Sequence, residues 1–382
     1  MTILVGSAAS QIQGEPVVRA VADVCTDLLA PTASASDQHG LSRAHLDALA
    51  ITGAFGIQFP KEFGGLDASA TTLREVIELI SGACGTTWFC FAQHKTPVGL
   101  LLASDNAVLR ERWLTEMISG NAIGAAAFAH LRRPQQSFGM TRVPGGWRLD
   151  GKLDWVTTWP LCEVAAVQGF TGDRGIGTHV VTVFISPPRP DPSHAPGLRA
   201  GPDLATFAMA GTHTWPVRFD GYFVADEDVG SIVPTHVWRV GNERISADAN
   251  PASFGMARAA INELAQRADL MADQPAATAA MLLAEELTRC REQAYELADL
   301  AASDAAVAEA SIGERVHLRG RALDINLRAA CALVTASGGS AMLRSATPGR
   351  RAREALFLQV QGQTATLRSE SLGLLSQPRT DP

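Results

Sequence analysis

From about Ala20 to Gly120, apolar residues recur at helical spacing, as in Leu73, Val76, Ile77 and Ile80 or Leu109, Trp113, Leu114 and Met117. Ser42 and Ser104 precede such runs as expected N-caps, where a hydroxyl accepts from a free backbone N–H. Between Asn121 and about Pro234 the texture changes. Gly, Pro and Thr become frequent, and short runs such as Val164–Gly169, Val180–Ile185 and Trp215–Phe219 predict strands. Trp147–Thr158, WRLDGKLDWVTT, predicts a strand, a tight turn at Gly151–Lys152 and a second strand ending on a polar edge. Pro187–Pro202 is a Pro-rich surface loop. After Pro234 the helical period returns, and Ala252–Met271, Ala276–Ala302, Gly313–Ser337 and Arg350–Leu375 predict roughly four helices, enough for a bundle. Helix, then β, then helix, without βαβ alternation, excludes a doubly wound sheet and predicts an α+β chain. The changes of period place the domains at 1–121, 122–235 and 236–382.

Composition narrows the class. A chain of 382 residues is too long for one small core. With 46% hydrophobic and 19% charged residues it has the make-up of a globular enzyme and not of a disordered chain. The net charge of −7 offers no basic face for nucleic acid. No apolar run reaches the eighteen or so residues that a membrane span needs. MTILVGSAASQIQGEP has no basic region before its short apolar piece, so no signal peptide is expected. The six cysteines are scattered without C-x-x-C pairs, which predicts buried free thiols and a cytoplasmic protein. No nucleophile elbow, P-loop, zinc spacing or strand-linked GxGxxG is present.

Three segments carry a family resemblance. GKLDWVTT resembles the G-x-K-x-W-I-T strand of the acyl-CoA dehydrogenase superfamily. Ile57–Leu66, IQFPKEFGGL, is similar to its V-P-E-x-Y-G-G-L turn between N-terminal helices, and Met209–Val224, MAGTHTWPVRFDGYFV, to its closing strands. The order and spacing of the three agree with the family over about 170 residues. The resemblance implies an N-terminal helical domain, a middle β-barrel and a C-terminal four-helix bundle. It implies FAD, with FMN as an alternative, and an acyl thioester substrate carried by CoA or acyl carrier protein. It also implies a homo-oligomer joined through Ala-rich faces such as Ala276–Ala284 and Ala301–Ala310; a heteromer is a second possibility.

The implied cofactor residues are Phe128, Ala129, Trp155, Thr157, Gly338, Gly339 and Thr364. The Trp155 indole would supply a flat wall, and the Thr157 hydroxyl a donor to the flavin N5 edge. The chain also departs from the family. In IGAAAFAH, Ala129 stands where the family has Thr and His130 where it has Glu. LRRPQQSFGM replaces a longer loop, with Arg132 and Arg133 as phosphate contacts in its place. Arg267–Leu283 lacks the usual FAD-binding pattern, and Thr335 replaces the Gln before Gly338–Gly339. At the place of the catalytic Glu, Gln361 or Gly362 stands, depending on the alignment; neither can act as a base. Glu243 lies near the alternative site for that base, with a kink at Pro251 absorbing a two-residue offset.

Three functions follow from the resemblance. The first is FAD-linked α,β-dehydrogenation of an acyl thioester, with Glu243 as base. The second is a flavin-dependent monooxygenase, favoured by the shortened loop. The third is a non-catalytic subunit of a heteromeric dehydrogenase.

Overall fold

The computed structural model describes residues 14–171 and 177–377. The signal-peptide reading falls largely on residues 1–13, which lie outside the described residues. The chain divides into two compact units: Met1–Ala35, Arg74–Gly85 and Gly241–Pro382 form the first, Ser36–Leu73 and Thr86–Val240 the second.

Before the sheet run α1 (Pro16–Val24), α2 (Ala30–His39), α3 (Arg43–Ile51), α4 (Ala70–Ala83), α5 (Gly85–Leu102) and α6 (Ala107–Ile118). The strands are β1 (Gly124–Ala127), β2 (Phe138–Val143), β3 (Gly146–Val156), β4 (Val164–Thr171), β5 (His179–Ile185), β6 (His194–Ala195), β7 (Leu198–Ala200), β8 (Trp215–Ala225) and β9 (Val229–Pro234). After them come α7 (Thr235–Ile245), α8 (Pro251–Met271), α9 (Gln274–Ser303), α10 (Ala305–Ala310), α11 (Ile312–Ser337), α12 (Thr347–Leu358) and α13 (Ala365–Ser376). Helices, a central sheet and helices again give the α+β class that the periodicity predicts.

In the second unit the strands form one mixed sheet in the order β6-β7-β8-β3-β2-β4-β5-β9, with β1 added beside β4. β4 pairs in parallel with β1 and β2, and the remaining pairs are antiparallel. The hydrogen-bonded path has two ends, at β6 and β9. β4 and β5 bury nearly every residue, which is why they read as continuous apolar runs without alternation. Val98, Leu101, Leu109, Leu114 and Met117 of α5 and α6 pack with Val164, Ala166 and Phe184. His94 fixes this corner. Its Nδ1 accepts from Gly124 N–H at 2.9 Å, so Nε2 holds the proton and donates to Met117 O, also at 2.9 Å. Burial pushes this imidazole down to about 3, so the tautomer persists at neutral pH.

The expected turn at Gly151–Lys152 is absent, and β3 runs through it without a break. Gly151 has φ +117, and a Cβ there would stand 2.1 Å from Ser137 O. The glycine lets β3 bend against β2 and does not reverse the chain; the reversal is at Gly145 (φ +79), between β2 and β3. Ser42 caps α3 as expected. Asn106, and not Ser104, caps α6: Asn106 Oδ1 accepts from Leu109 N–H, whereas the Ser104 hydroxyl accepts from Asn106 N–H and donates to Gly230 O. The Pro187–Pro202 loop contains the short strands β6 and β7.

In the first unit, Ala257, Ala260, Ala280, Ala284, Ala322 and Ala329 line the core between α8, α9 and α11. Small side chains permit this close helix approach. Gly255 permits a further close approach, of α8 to α4, since a Cβ there would meet Glu78 O at 2.3 Å. The run Arg350–Leu375 is two helices and not one, broken at Gly362 (φ +61) and restarted by the Thr364 cap. Pro251 is the first residue of α8, capped by Asn250, and no kink forms there. Five of the six thiols are buried; Cys331 is exposed. Among the described residues no helix is long and apolar enough to cross a membrane.

Glu354, 2% exposed, accepts from Arg350 Nη1 at 2.6 Å, Arg351 Nη1 at 3.3 Å and Gly85 N–H at 3.2 Å. Burial pushes its carboxyl up, but the two guanidinium groups outweigh burial and hold it below its ordinary value. Glu354→Ala leaves two buried cations short of a partner and should cost about 3–5 kcal/mol in chemical denaturation. Because the folded carboxyl is depressed, this stabilisation should be complete above its ordinary value of 4.5 and fade as pH falls below it.

Candidate functional site

Trp155 sits on a β-bulge. β3 and β8 pair Leu153 with Val217 and next Val156 with Trp215, so the extra residue falls at Asp154–Trp155. Bulges re-aim side chains, and this one leaves the indole half exposed at 50%, whereas Trp147 and Trp159 of the same segment are buried. A flat apolar face is thereby presented beside a polar strand end.

That strand end is a ladder of threonine hydroxyls. Thr157 Oγ1 lies 2.9 Å from Thr214 Oγ1, and Thr214 Oγ1 lies 2.9 Å from Thr212 Oγ1. Thr212 donates to Met209 O at 2.8 Å. Each hydroxyl has one proton. With the Thr212 proton given to a carbonyl, Thr214 must donate to Thr212, and Thr157 to Thr214. In this sense Thr157 keeps only lone pairs for any further partner. That differs from the donor role expected of it.

Strained backbone surrounds the ladder. Thr158, Met209 and His213 have φ of +68, +56 and +49, three of the five positive-φ residues other than glycine among the described residues. Such conformations cost roughly 1–3 kcal/mol each and persist only where neighbours over-determine them. Here Thr158 N–H donates to Thr212 O at 3.1 Å, Leu41 N–H to Gly211 O at 2.9 Å, and the His213 ring joins Leu41 O at 3.1 Å to Asp203 at 3.2 Å. The Thr158 hydroxyl is buried and has no partner.

Phe128 leaves β1, and Ala129–Arg132 form a 3-10 turn, so Ala129 and His130 do not continue a strand. Arg133 of this turn pairs with Asp154 of the bulge at 2.6 Å, which brings Phe128 and Ala129 to the neighbourhood of Trp155. Ala129 is exposed, and the Phe128 carbonyl accepts from Leu131 N–H at 3.0 Å within the turn. Arg132 lies over the Phe128 ring at 5.3 Å, so one arginine is engaged within this segment and the other with β3. His130 packs edge-on against Phe138, and its Nε2 is buried without a partner. Burial pushes this imidazole down to about 4, a backbone hydrogen bond with Gln168 opposing the shift.

The remaining candidates lie in the first unit. Glu243 is exposed on α7, and its neighbour Arg244 pairs with Glu309 at 2.8 Å. Gln361 Oε1 accepts from Asn250 Nδ2 at 3.4 Å, and its carbonyl accepts from the buried Arg319 at 3.1 Å. Arg315 holds Asp248 at 3.1 Å, and burial raises the Asp248 carboxyl. The loop before α8 and the Gln361–Gly362 turn are thus clamped together. Gly338 and Gly339 are exposed with open space around them, as an approaching phosphate requires, and the Thr364 hydroxyl is occupied in capping α13. Thr212, Thr214 and Asp154 were not singled out in the sequence; the alternation in THT is their only local signal.

The exposed indole, the exposed Ala129 and the hydroxyl ladder fit the edge of a flat heteroaromatic ring. A Cβ at Gly211 would stand 1.7 Å from Ser36 O, so Gly211→Ala should unseat the ladder and cost more than about 2 kcal/mol in thermal melts. His130, protonated in the unfolded chain but neutral in the fold, should stay untitrated in NMR from pH 8 to about 5. As the folded value lies below the ordinary 6.5, stability should fall as pH drops from 6.5 toward 4. A His130 titration near 6.5 would contradict this.

Residues 14–121 match the family described as acyl-CoA dehydrogenase, N-terminal domain. Mitochondrial isovaleryl-CoA dehydrogenase of Arabidopsis thaliana is 27% identical over 217 residues, 55% of this chain and 52% of that protein. The chain spans about half the length of the curated relatives it matches. Butyryl-CoA dehydrogenase of Megasphaera elsdenii has the same fold, with a TM-score of 0.77 at 15% identity over 99% of this chain and 100% of that one. Dibenzothiophene monooxygenase from Paenibacillus shares it too, with a TM-score of 0.76 at 17% identity over 94% and 96%. Residues 14–121 thus match the acyl-CoA dehydrogenase N-terminal domain, and the chain is similar to acyl-CoA dehydrogenases in sequence over about half its length and in fold over nearly all of it.

Proposed function

We propose that the protein is a flavin-dependent oxidoreductase that dehydrogenates an acyl thioester between its α and β carbons, with FAD as cofactor. The observation that carries the flavin reading is the half-exposed Trp155 on its bulge beside the threonine ladder. The dehydrogenase reaction is supported by relatives such as the isovaleryl-CoA dehydrogenase that matches half of the chain. When bound, FAD supplies the two-electron acceptor for the hydrogens that leave the acyl chain.

The chain's own groups divide the remaining work. Trp155 walls one face of the ring and excludes water there. Thr157 and the Phe128–Ala129 backbone meet its polar edge. Gly338 and Gly339 give backbone access to the pyrophosphate. Glu243 is the proposed base: its carboxylate takes the proton alpha to the thioester carbonyl. The Gln361 amide has no basic site for this task and is tied to Asn250. An amide in place of the usual Glu also favours a second reading, a flavin monooxygenase, which needs no carboxylate base.

The purified protein should carry extractable FAD, read from its visible spectrum. Positioned carboxylate bases contribute about 10²–10⁴-fold, or about 3–5 kcal/mol of barrier. Glu243→Gln should therefore lower kcat with an acyl-CoA by at least about 100-fold, while Gln361→Ala changes it less than about threefold. Full activity in Glu243→Gln removes that residue from the mechanism. Fast reaction of the reduced protein with oxygen, without acyl-CoA turnover, favours the monooxygenase. A flavin-free protein leaves the non-catalytic subunit.

A further inference from the structure

The threonine ladder has a direction, and the direction has a redox consequence. Read from its anchor, Thr212 donates to Met209 O, Thr214 to Thr212, and Thr157 to Thr214. Only the Met209 carbonyl breaks the symmetry, since a carbonyl accepts and never donates. The opposite sense, in which Thr157 donates away from the ladder, requires Thr212 to give up that carbonyl. Among the described residues none of the three hydroxyls has another protein partner to compensate, and the residues are 95%, 93% and 98% buried at Thr157, Thr214 and Thr212. Reversal therefore costs about one hydrogen bond, on the order of 1 kcal/mol.

A flavin N5 reads this difference directly. In the oxidised ring N5 has a lone pair and seeks a donor; in the two-electron reduced ring it carries a proton and seeks an acceptor. We propose that Thr212 is a positioning residue that, through Thr214, holds Thr157 as an acceptor and so biases a bound flavin toward its reduced form. This rests on the reading that the N5 edge lies at Thr157. The strained Met209 and His213 that bracket Thr212 hold the anchor carbonyl in place, a use for backbone that is otherwise costly. No bond to carbon or oxygen is made or broken in the ladder; the hydroxyls rotate.

The test is the two-electron midpoint of the FAD-loaded protein, measured against reference dyes, with FAD content and melting temperature recorded for each variant. Valine matches threonine in shape, so Thr212→Val removes the anchor at little cost in volume. Thr214 is expected to turn its proton to Thr157, which frees Thr157 to donate. The ratio of reduced to oxidised flavin at a fixed potential should fall about tenfold, a midpoint about 30 mV lower. Thr212→Ser restores the hydroxyl and should return the midpoint to that of the parent. In a Thr157→Val background Thr212→Val should add nothing, because the ladder acts only through Thr157. Equal midpoints for the parent and Thr212→Val overturn the inference alone, as does an undiminished shift in the Thr157→Val background. Failure of the parent to take up FAD overturns the proposed function and the inference with it.

Discussion

The Met209 carbonyl is the fixed point of the site. It is an obligate acceptor held by a left-handed residue at the start of the Ala210–Thr212 turn, and it sets the sense of three consecutive buried hydrogen bonds. Chains of hydroxyls in a low-dielectric setting polarise one another, so a single anchored end is felt at the other. Three backbone distortions of roughly 1–3 kcal/mol each surround this chain. They are held by contacts that tolerate little change: a glycine whose missing Cβ lets Ser36 approach, a histidine bridging Leu41 and Asp203, and a backbone bond from Thr158 to Thr212. The strain is thus concentrated around one polar edge, at Thr158, Met209 and His213.

The two halves of that edge come from separate parts of the chain. The β3 bulge turns Trp155 outward, and the Arg133–Asp154 pair ties it to the turn carrying Phe128 and Ala129. His130, pushed down by burial, contributes a neutral, rigid ring and no charge. In the first unit a different principle rules. Arg315 and Arg319 clamp the loop before α8 to the Gln361 turn by charge-assisted bonds, each stronger than a neutral one.

Much of this was legible in the chain. The 3.6-residue and mixed β periods gave the order of elements because burial on one helical face, or on both faces of β4 and β5, writes itself into the hydrophobic pattern. The WVTT and MAGTHT segments mark two strand ends that the structure joins through Thr157 and Thr214. What escaped the reading depends on backbone geometry that no local pattern encodes. Gly151 reads as a turn, and only the approach of Ser137 shows it to be a bend. The ladder joins Thr157 to Thr214 across 57 positions, and its direction follows from one carbonyl. Arg350–Leu375 reads as one apolar-rich run, but one helix ends at Leu358 and the Thr364 cap starts the next, with Gly362 at φ +61 between them.

The account stands most directly on where a flavin lies. A crystal structure of the FAD-loaded protein measures this in one step. The account predicts the ring plane against the Trp155 indole, with N5 about 3 Å from Thr157 Oγ1. A flavin seated elsewhere, or an N5 edge beyond hydrogen-bond reach of Thr157, would contradict it.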